Sequence, residues 1–222
     1  SARTVLRFGV AILGARISVE MLMSLGWGMI ALLVIGTGAT ILFGVVLARF
    51  IGQGPRFAIL TAGAVAICGA SAAMAIAAVL PKDDRSERNL LFTVLGVTVL
   101  STIAMILYPI LTNYLGFDEV TAGAFIGATV HDVAQVVGAG FSISETAGET
   151  STLVKLIRVS FLAPIVVIIA LWWRQSDAES DGERPPLVPG FVLGFLALAA
   201  LNSFGVIPQA IGGFLASLSG WA

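Results

Sequence analysis

The sequence predicts an all-α, polytopic membrane protein with about seven or eight transmembrane segments, two of them broken or re-entrant. Of its 222 residues, 58% are hydrophobic and 11% are charged, and the mean hydropathy is +1.00. A soluble domain carries about 25% charged residues, so this composition excludes one. Long runs without charge, such as 27–48 and 57–81, are continuously apolar. They lack the alternation of outer-membrane strands, and helices are therefore expected.

Charge and cysteine content exclude several other classes of protein. The formal net charge is −1 and the sequence pI is about 5.8, which argues against nucleic-acid binding because that function requires a basic surface. A single cysteine provides neither a disulfide framework nor a thiolate metal site. The high hydrophobicity excludes intrinsic disorder. We therefore expect no cofactor, no metal and no nucleic-acid partner.

The apolar segments follow one another along a single transmembrane domain, residues 1–222. Polar loops are expected at 81–89, at 142–151, where the sequence is acidic, and at 174–187. The beginning and end of the sequence both lie close to apolar segments, which suggests part of a longer protein. The predicted segments are 4–25, 27–50, 57–80, 90–115, 120–141, 152–173, 187–204 and a last one from 207.

The third and fifth segments are the two expected to be broken or re-entrant. If both enter and leave on one side of the membrane, the loop Lys and Arg residues gather on one face, as the positive-inside rule favours. The third segment also contains a run of small residues at 66–73, AICGASAA. Small residues allow either close helix packing or an unwound stretch whose N–H groups bind an anion. The candidate donors are Gly69, Ala70 and Ser71.

The fifth segment carries the most informative polar group, His131 and Asp132 with Gln135. Ionisable residues inside a membrane cost about 2.5–3.5 kcal/mol each on insertion scales, so they indicate function or internal pairing. Positions 131 and 135 are four apart and share a face on a continuous helix. A histidine beside an acid can exchange a proton near neutral pH. A substrate or proton site is expected, and a purely structural clamp between helices is the alternative.

Two further pairs of charges lie inside apolar segments. Lys155 and Arg158 are three apart, and they either form a cationic wall for an anion, pair with Asp132, or extend to the membrane interface. Pro164 should kink or break that helix. Arg16 and Glu20, four apart in the first segment, are expected to form a structural ion pair.

Several of these stretches resemble the YeiH-like family of bacterial inner-membrane sulfate exporters. The resemblance rests on LRFGVAILGARIS at 6–18, AICGASAAMAIAAVLP at 66–81, GATVHDVAQVVGAG at 127–140 and TLVKLIRV at 152–159. FVLGFLALAALNSFGVIP at 191–208 is also similar to a late segment of that family. The resemblance implies a chain longer than this one, an inverted-repeat fold with crossed, broken helices, and secondary transport.

The combined prediction is a secondary transporter that moves a small anion, sulfate or an organosulfonate, across the bacterial inner membrane. Proton or cation coupling would involve His131 and Asp132. The alternatives are a cation/proton antiporter and a membrane subunit that does not transport. No catalytic residue is predicted, because no nucleophile lies at a recognisable spacing from His131. The lipid bilayer, a small anion and a second copy of the chain are the expected partners.

Overall fold

The computed structural model describes residues 26–176 and, beyond them, the helical positions Leu193, Gly194, Ala197 and Leu201. Every regular element in residues 26–176 is a helix. The first predicted segment, with Arg16 and Glu20, lies outside the described residues. So do the segment from 207, most of the segment at 187–204, and residues 177–187 of the predicted polar loop.

Eight α-helices follow one another in residues 26–176. Their bounds are α1 Gly26–Phe50, α2 Pro55–Ala66, α3 Ala70–Ala77, α4 Ser86–Tyr114, α5 Glu119–Thr129, α6 Val133–Phe141, α7 Glu145–Ser160 and α8 Leu162–Ser176.

Three stretches of helix within the described residues are long and apolar enough to cross a membrane. They are α1, α4, and α7 together with α8 over Glu145–Trp173. The 29 residues of α4 correspond to about 43 Å of helix at 1.5 Å per residue, more than the hydrocarbon core of a bilayer. Large apolar side chains such as Leu95, Ile103 and Ile110 are exposed on α4. This surface is compatible with lipid.

The third predicted segment is broken, as expected. α2 ends at Ala66, and α3 begins at Ala70 after Ile67, Cys68 and Gly69. Gly69 has φ +69° and ψ −121°, a backbone conformation that side-chain-bearing residues rarely adopt. A Cβ at Gly69 would also lie 3.3 Å from the Cβ of His131. Glycine therefore allows both the turn and the close approach of the two broken segments.

The fifth predicted segment is also broken, at Val130, His131 and Asp132. Asp132 is extended and caps α6, and its Oδ1 accepts a hydrogen bond from the Gln135 N–H at 3.1 Å. The expectation that His131 and Gln135 share one helix face is therefore wrong. An aspartate that accepts from the backbone N–H three residues later favours the start of a helix over its interior.

The acidic stretch at 142–151, which we expected to be a loop, is mostly helical. α7 begins at Glu145, and the Ser144 hydroxyl caps it by accepting from the Ala147 N–H at 3.1 Å. A glutamate in the first turn is favourable because the N-terminus of a helix is the positive end of its dipole. The helix then ends at Ser160, and α8 begins at Leu162 with Pro164 in its first turn, where proline is tolerated.

The polar stretch at 174–187 also begins later than expected, because α8 continues to Ser176. The predicted loop at 81–89 is shorter than expected, because α4 begins at Ser86. The residues that do lie between helices include Lys82, Asp83, Asp84 and Arg85. The ends of these helices extend into the polar sequence because polar residues can cap or lengthen a helix beyond its apolar part.

α7 packs at the centre of the described helices, and glycine makes its contact with α5 very close. A Cβ at Gly123 would lie 2.6 Å from the Ala147 carbonyl oxygen, and one at Gly127 would meet Ser151 and lie 2.9 Å from the Val154 Cβ. The two glycines are four apart, which is the GxxxG spacing of close membrane-helix pairs. α7 is therefore held against the broken segment that carries His131.

Candidate functional site

The two breaks lie next to each other and next to the middle of α4. Gly69 at the first break approaches His131 at the second. The Ser101 hydroxyl of α4 is buried and accepts hydrogen bonds from the backbone N–H groups of His131 and Asp132, both at 3.2 Å. This contact fixes the second break against α4.

Lys155 joins the two breaks from the side of α7. Its side chain is fully buried, and its Nζ donates to the Ile67 carbonyl at 2.9 Å and to the Val130 carbonyl at 3.0 Å. Ile67 and Val130 are the residues that directly follow α2 and α5. Carbonyls at the end of a helix have no intrahelical donor and carry partial negative charge. Lys155 therefore satisfies one such carbonyl at each break.

Arg158 repeats this arrangement one turn further along α7. Its guanidinium donates to the carbonyls of Ala66 and Ala128, and more weakly to Val65 at 3.5 Å. The side chain is 6% exposed. The planar, forked guanidinium suits two separate acceptors. Both cations are buried and bond backbone carbonyls inside the protein, which argues against their extension to the membrane interface.

Among residues 26–176, neither Lys155 nor Arg158 forms an ion pair with a carboxylate. An ion pair at 3.1 Å joins Arg56, near the start of α2, to Asp83, between α3 and α4, and neither residue lies at a break. Asp132 is exposed and bonds the start of α6 instead. The expected pairing of Lys155 or Arg158 with Asp132 is therefore absent among these residues, and backbone carbonyls are the partners of both cations.

The N-terminal ends of α3 and α6 carry partial positive charge, in contrast to the carbonyl ends of α2 and α5. α3 has no side-chain cap at Gly69, and the first N–H groups of a helix have no intrahelical acceptor. Ala70 and Ser71 provide such N–H groups, and Ser71 also provides a hydroxyl. The start of α6 at Val133 lies on the other break. The start of α6 is capped by Asp132, whereas the uncapped start of α3 would offer a small anion N–H donors that are already oriented.

Polar side chains complete the surroundings of the second break. Gln135 Nε2 donates to the Thr102 hydroxyl at 3.1 Å. His131 Nδ1 and Gln135 Oε1 are buried and have no hydrogen-bond partner among the described residues. Buried polar atoms are nearly always paired. These two atoms are therefore positions at which a ligand or a water molecule would complete the hydrogen bonding.

The structure brings most of the predicted site residues together. His131, Asp132 and Gln135 lie at the second break and Gly69, Ala70 and Ser71 at the first, with Lys155 and Arg158 between the breaks on α7. Sequence reasoning missed Ser101 and Thr102, the adjacent hydroxyls in the apolar run of α4. It also missed the glycines at 123 and 127, although their GxxxG spacing was readable.

Comparison with known proteins places this chain in a group of bacterial membrane proteins. The profile of the family described as conserved hypothetical protein 698 matches residues 1–222. A UPF0324 membrane protein of Paracoccus pantotrophus, TauZ, is 62% identical over the whole chain, and one of Rhizobium meliloti is also 62% identical. One of Chlorobaculum tepidum is 47% identical. The chain spans 66%, 65% and 62% of these three proteins, respectively. No solved structure matches it.

Proposed function

Since this chain belongs to the conserved hypothetical protein 698 family and is a multi-pass membrane protein, we propose that it serves secondary transport of a small anion. The substrate class is sulfate or an organosulfonate, and the membrane is the bacterial inner membrane. Residues 1–222 would contribute about seven or eight spans to an inverted-repeat architecture. No catalytic step is assigned to His131 or Asp132. The observation that carries the proposal is the meeting of two broken helices at Gly69 and His131.

The orientation of the half-helices favours an anion over a cation. The N-terminus of α3 at the crossing has no side-chain cap, whereas the carbonyls at the ends of α2 and α5 are already bonded to Lys155 and Arg158. In transporters with discontinuous helices, half-helix N-termini near the bilayer midplane point at anionic groups of the substrate. The same polarity at this crossing supports an anionic substrate.

The formal charge near the crossing also favours an anion. Lys155 and Arg158 contribute two positive charges and Asp132 one negative charge, so the described residues around the breaks carry one excess positive charge with His131 neutral. A buried positive charge is costly unless it is compensated. A bound anion would add to the compensation that the backbone carbonyls provide, and the Ser71 hydroxyl and the His131 ring would orient its oxygen atoms.

Asp132 and His131 are the proposed coupling residues. Asp132 is exposed at the break, where it could take up a proton or contact a cation, and His131 has an unpaired buried nitrogen among the described residues. The exposed carboxylate also supports the second candidate function, a cation/proton antiporter with Asp132 as the cation ligand. Flux that follows Na⁺ and ignores the anion would favour that candidate.

Ligand binding to the purified full-length protein is the first test. Sulfate, sulfite and an alkanesulfonate are added separately at constant ionic strength, and the melting temperature is compared with that in chloride. A ligand that binds only the folded state raises this temperature in a concentration-dependent way. The proposal expects a saturable rise with at least one of the three anions, and no rise with any of them would contradict it.

Flux into proteoliposomes is the second test, with a matched pair of aspartate variants. Asp132 caps α6, and Asp118 caps α5 by accepting from Thr121 at 2.9 Å. Asp118→Asn therefore removes a similar carboxylate away from the crossing. We expect Asp132→Asn combined with His131→Ala to abolish the pH dependence of flux, whereas Asp118→Asn retains it. Retained pH dependence in the double variant would refute the coupling assignment.

A further inference from the structure

Lys155 is the most deeply buried charged side chain in the described part of the protein. It lies near the middle of α7, has no exposed surface, and contacts the ends of two helices that are far apart in sequence. Lysine side chains are long and flexible, and they seldom remain buried without a strong compensating interaction. The compensation here consists of the two carbonyl oxygens of Ile67 and Val130 at 2.9 and 3.0 Å.

The two carbonyls are of the kind that bind a metal cation in broken-helix transporters. Unwound backbone carbonyls and the C-terminal ends of half-helices coordinate the coupling Na⁺ or H⁺ in such proteins. Ile67 follows α2 and Val130 follows α5, so each carbonyl lies at the negative end of a half-helix. A free cation at this crossing would therefore use the same two oxygens that Lys155 uses.

We propose that the Lys155 ammonium is a tethered cation that permanently fills the cation position of the helix crossing, so that the protein binds no dissociable Na⁺ or K⁺ there. The four-carbon side chain delivers the charge from α7 and keeps it between the two carbonyls. Arg158 supports the same position from one turn away by bonding Ala66 and Ala128, the residues adjacent to these ends. The inference deepens the proposed function and rests on it only for the role of the crossing in transport.

The charge of Lys155, and not merely its volume, is what the proposal requires. An apolar side chain of similar length would leave two buried carbonyls at the breaks without donors, which is costly. A shorter side chain would instead leave space beside those oxygens. A small monovalent cation could enter that space, because the carbonyls and the helix ends that attract Lys155 remain in place.

The experiment measures the melting temperature of Lys155→Ala in the whole protein, purified in detergent without substrate. Chloride salts of Na⁺, K⁺, NH₄⁺ and choline are compared at constant ionic strength, with choline as the cation too large to enter. We expect the variant to melt lower than the native protein in choline. In at least one of the small cations, its melting temperature should rise by roughly 3–6 °C for each tenfold increase in concentration above the Kd.

Two variants separate a cation site from a simple cavity. Ile157→Ala removes a fully buried apolar side chain of the same helix, and it should melt lower without any response to the cation. Lys155→Met keeps most of the volume without the charge, so it should melt lower by roughly 5–20 °C with no response, because its side chain blocks the space.

The melting temperature of the native protein in the same salts provides a further comparison. At constant ionic strength, it should be the same in Na⁺, K⁺ and choline. A saturable stabilisation of the native protein by Na⁺ or K⁺ that is lost in Lys155→Met would overturn the inference, since a dissociable cation would then occupy the crossing. An identical melting temperature of Lys155→Ala in all four salts would overturn it as well.

If Lys155→Ala does not fold in any salt, Lys155→Gln replaces it. Glutamine retains hydrogen-bond donors but has no charge, so the proposal expects a lower melting temperature than that of the native protein. Native stability of Lys155→Gln would show that hydrogen bonding suffices and would overturn the inference. All of these measurements are made without substrate. A negative result here and a failure to bind sulfate or sulfonates are therefore separate outcomes.

Discussion

Replacing Gly69 by alanine tests whether the first break depends on its unusual backbone. Gly69 has φ +69° and ψ −121°, and holding a residue with a Cβ in such a region costs on the order of 1–3 kcal/mol. The added Cβ would also lie 3.3 Å from the His131 Cβ and 3.5 Å from the Val97 Cγ2. Because this is a tight contact, His131 must shift as well.

Gly96→Ala is the matched control for this substitution. Gly96 lies inside α4, and a Cβ there would meet nothing within 4 Å. Alanine in a helix interior is favoured over glycine by about 0.5–1 kcal/mol. The two variants should therefore differ by about 1.5–4 kcal/mol in the free energy of unfolding, with Gly69→Ala the less stable.

Thermal unfolding of the full-length protein in detergent measures this difference. At about 2–4 °C per kcal/mol, this difference corresponds to roughly 3–16 °C in melting temperature. Sulfate or a sulfonate should also stabilise Gly69→Ala less than it stabilises Gly96→Ala, since the N-terminus of α3 would be displaced from His131. Equal melting temperatures for the two variants would refute the reasoning, because the break would then tolerate a side chain at this position.

Three further predictions concern other parts of the structure, each checked by thermal unfolding. Arg158→Lys should lower the free energy of unfolding by about 1–3 kcal/mol, because one ammonium group cannot replace a guanidinium that bonds carbonyls at both breaks. Native stability of this variant would contradict the prediction. Gly127→Ala should be destabilising and Gly138→Ala close to neutral, since a Cβ at 127 meets α7 and one at 138 approaches nothing nearer than 4.0 Å. The Ser86 hydroxyl, the Arg85 N–H and Arg56 lower the pKa of Asp83, so its contribution to stability is present above about pH 4 and is lost as the pH falls further. The melting temperature of Asp83→Asn should therefore lie closer to that of the native protein at pH 3 than at pH 6. An equal difference in melting temperature at both pH values would contradict this prediction.

The long helices and the existence of the breaks were predictable from the sequence. The charge-free runs that begin at Trp27 and Asn89 correspond to α1 and α4 because a membrane helix needs a continuous apolar stretch. The small residues around Gly69 and the costly pair at His131 and Asp132 indicated where regular helix would fail. These are local signals, and each can be read within a few neighbouring residues.

The partners of the buried cations could not be predicted in this way. Lys155 bonds a carbonyl 88 positions away, and carbonyl groups leave no mark in a sequence because every residue has one. The position of Asp132 was misjudged for another reason, since a helical spacing was assumed to continue through a residue that caps a new helix. The capping serine at Ser144 and the glycines at 123 and 127 were readable signals that the apolar pattern obscured.

The two cations on α7 have a mechanical consequence. Lys155 and Arg158 together donate five hydrogen bonds, and each side chain bonds carbonyls at both breaks. Separating the first break from the second would strand these charges in a dry interior at a cost of several kcal/mol. We therefore expect the crossing and α7 to translate and rotate as one block. In the proposed transport, a rearrangement that opens the crossing to the other side of the membrane would be accommodated at the contacts of this block with its neighbours.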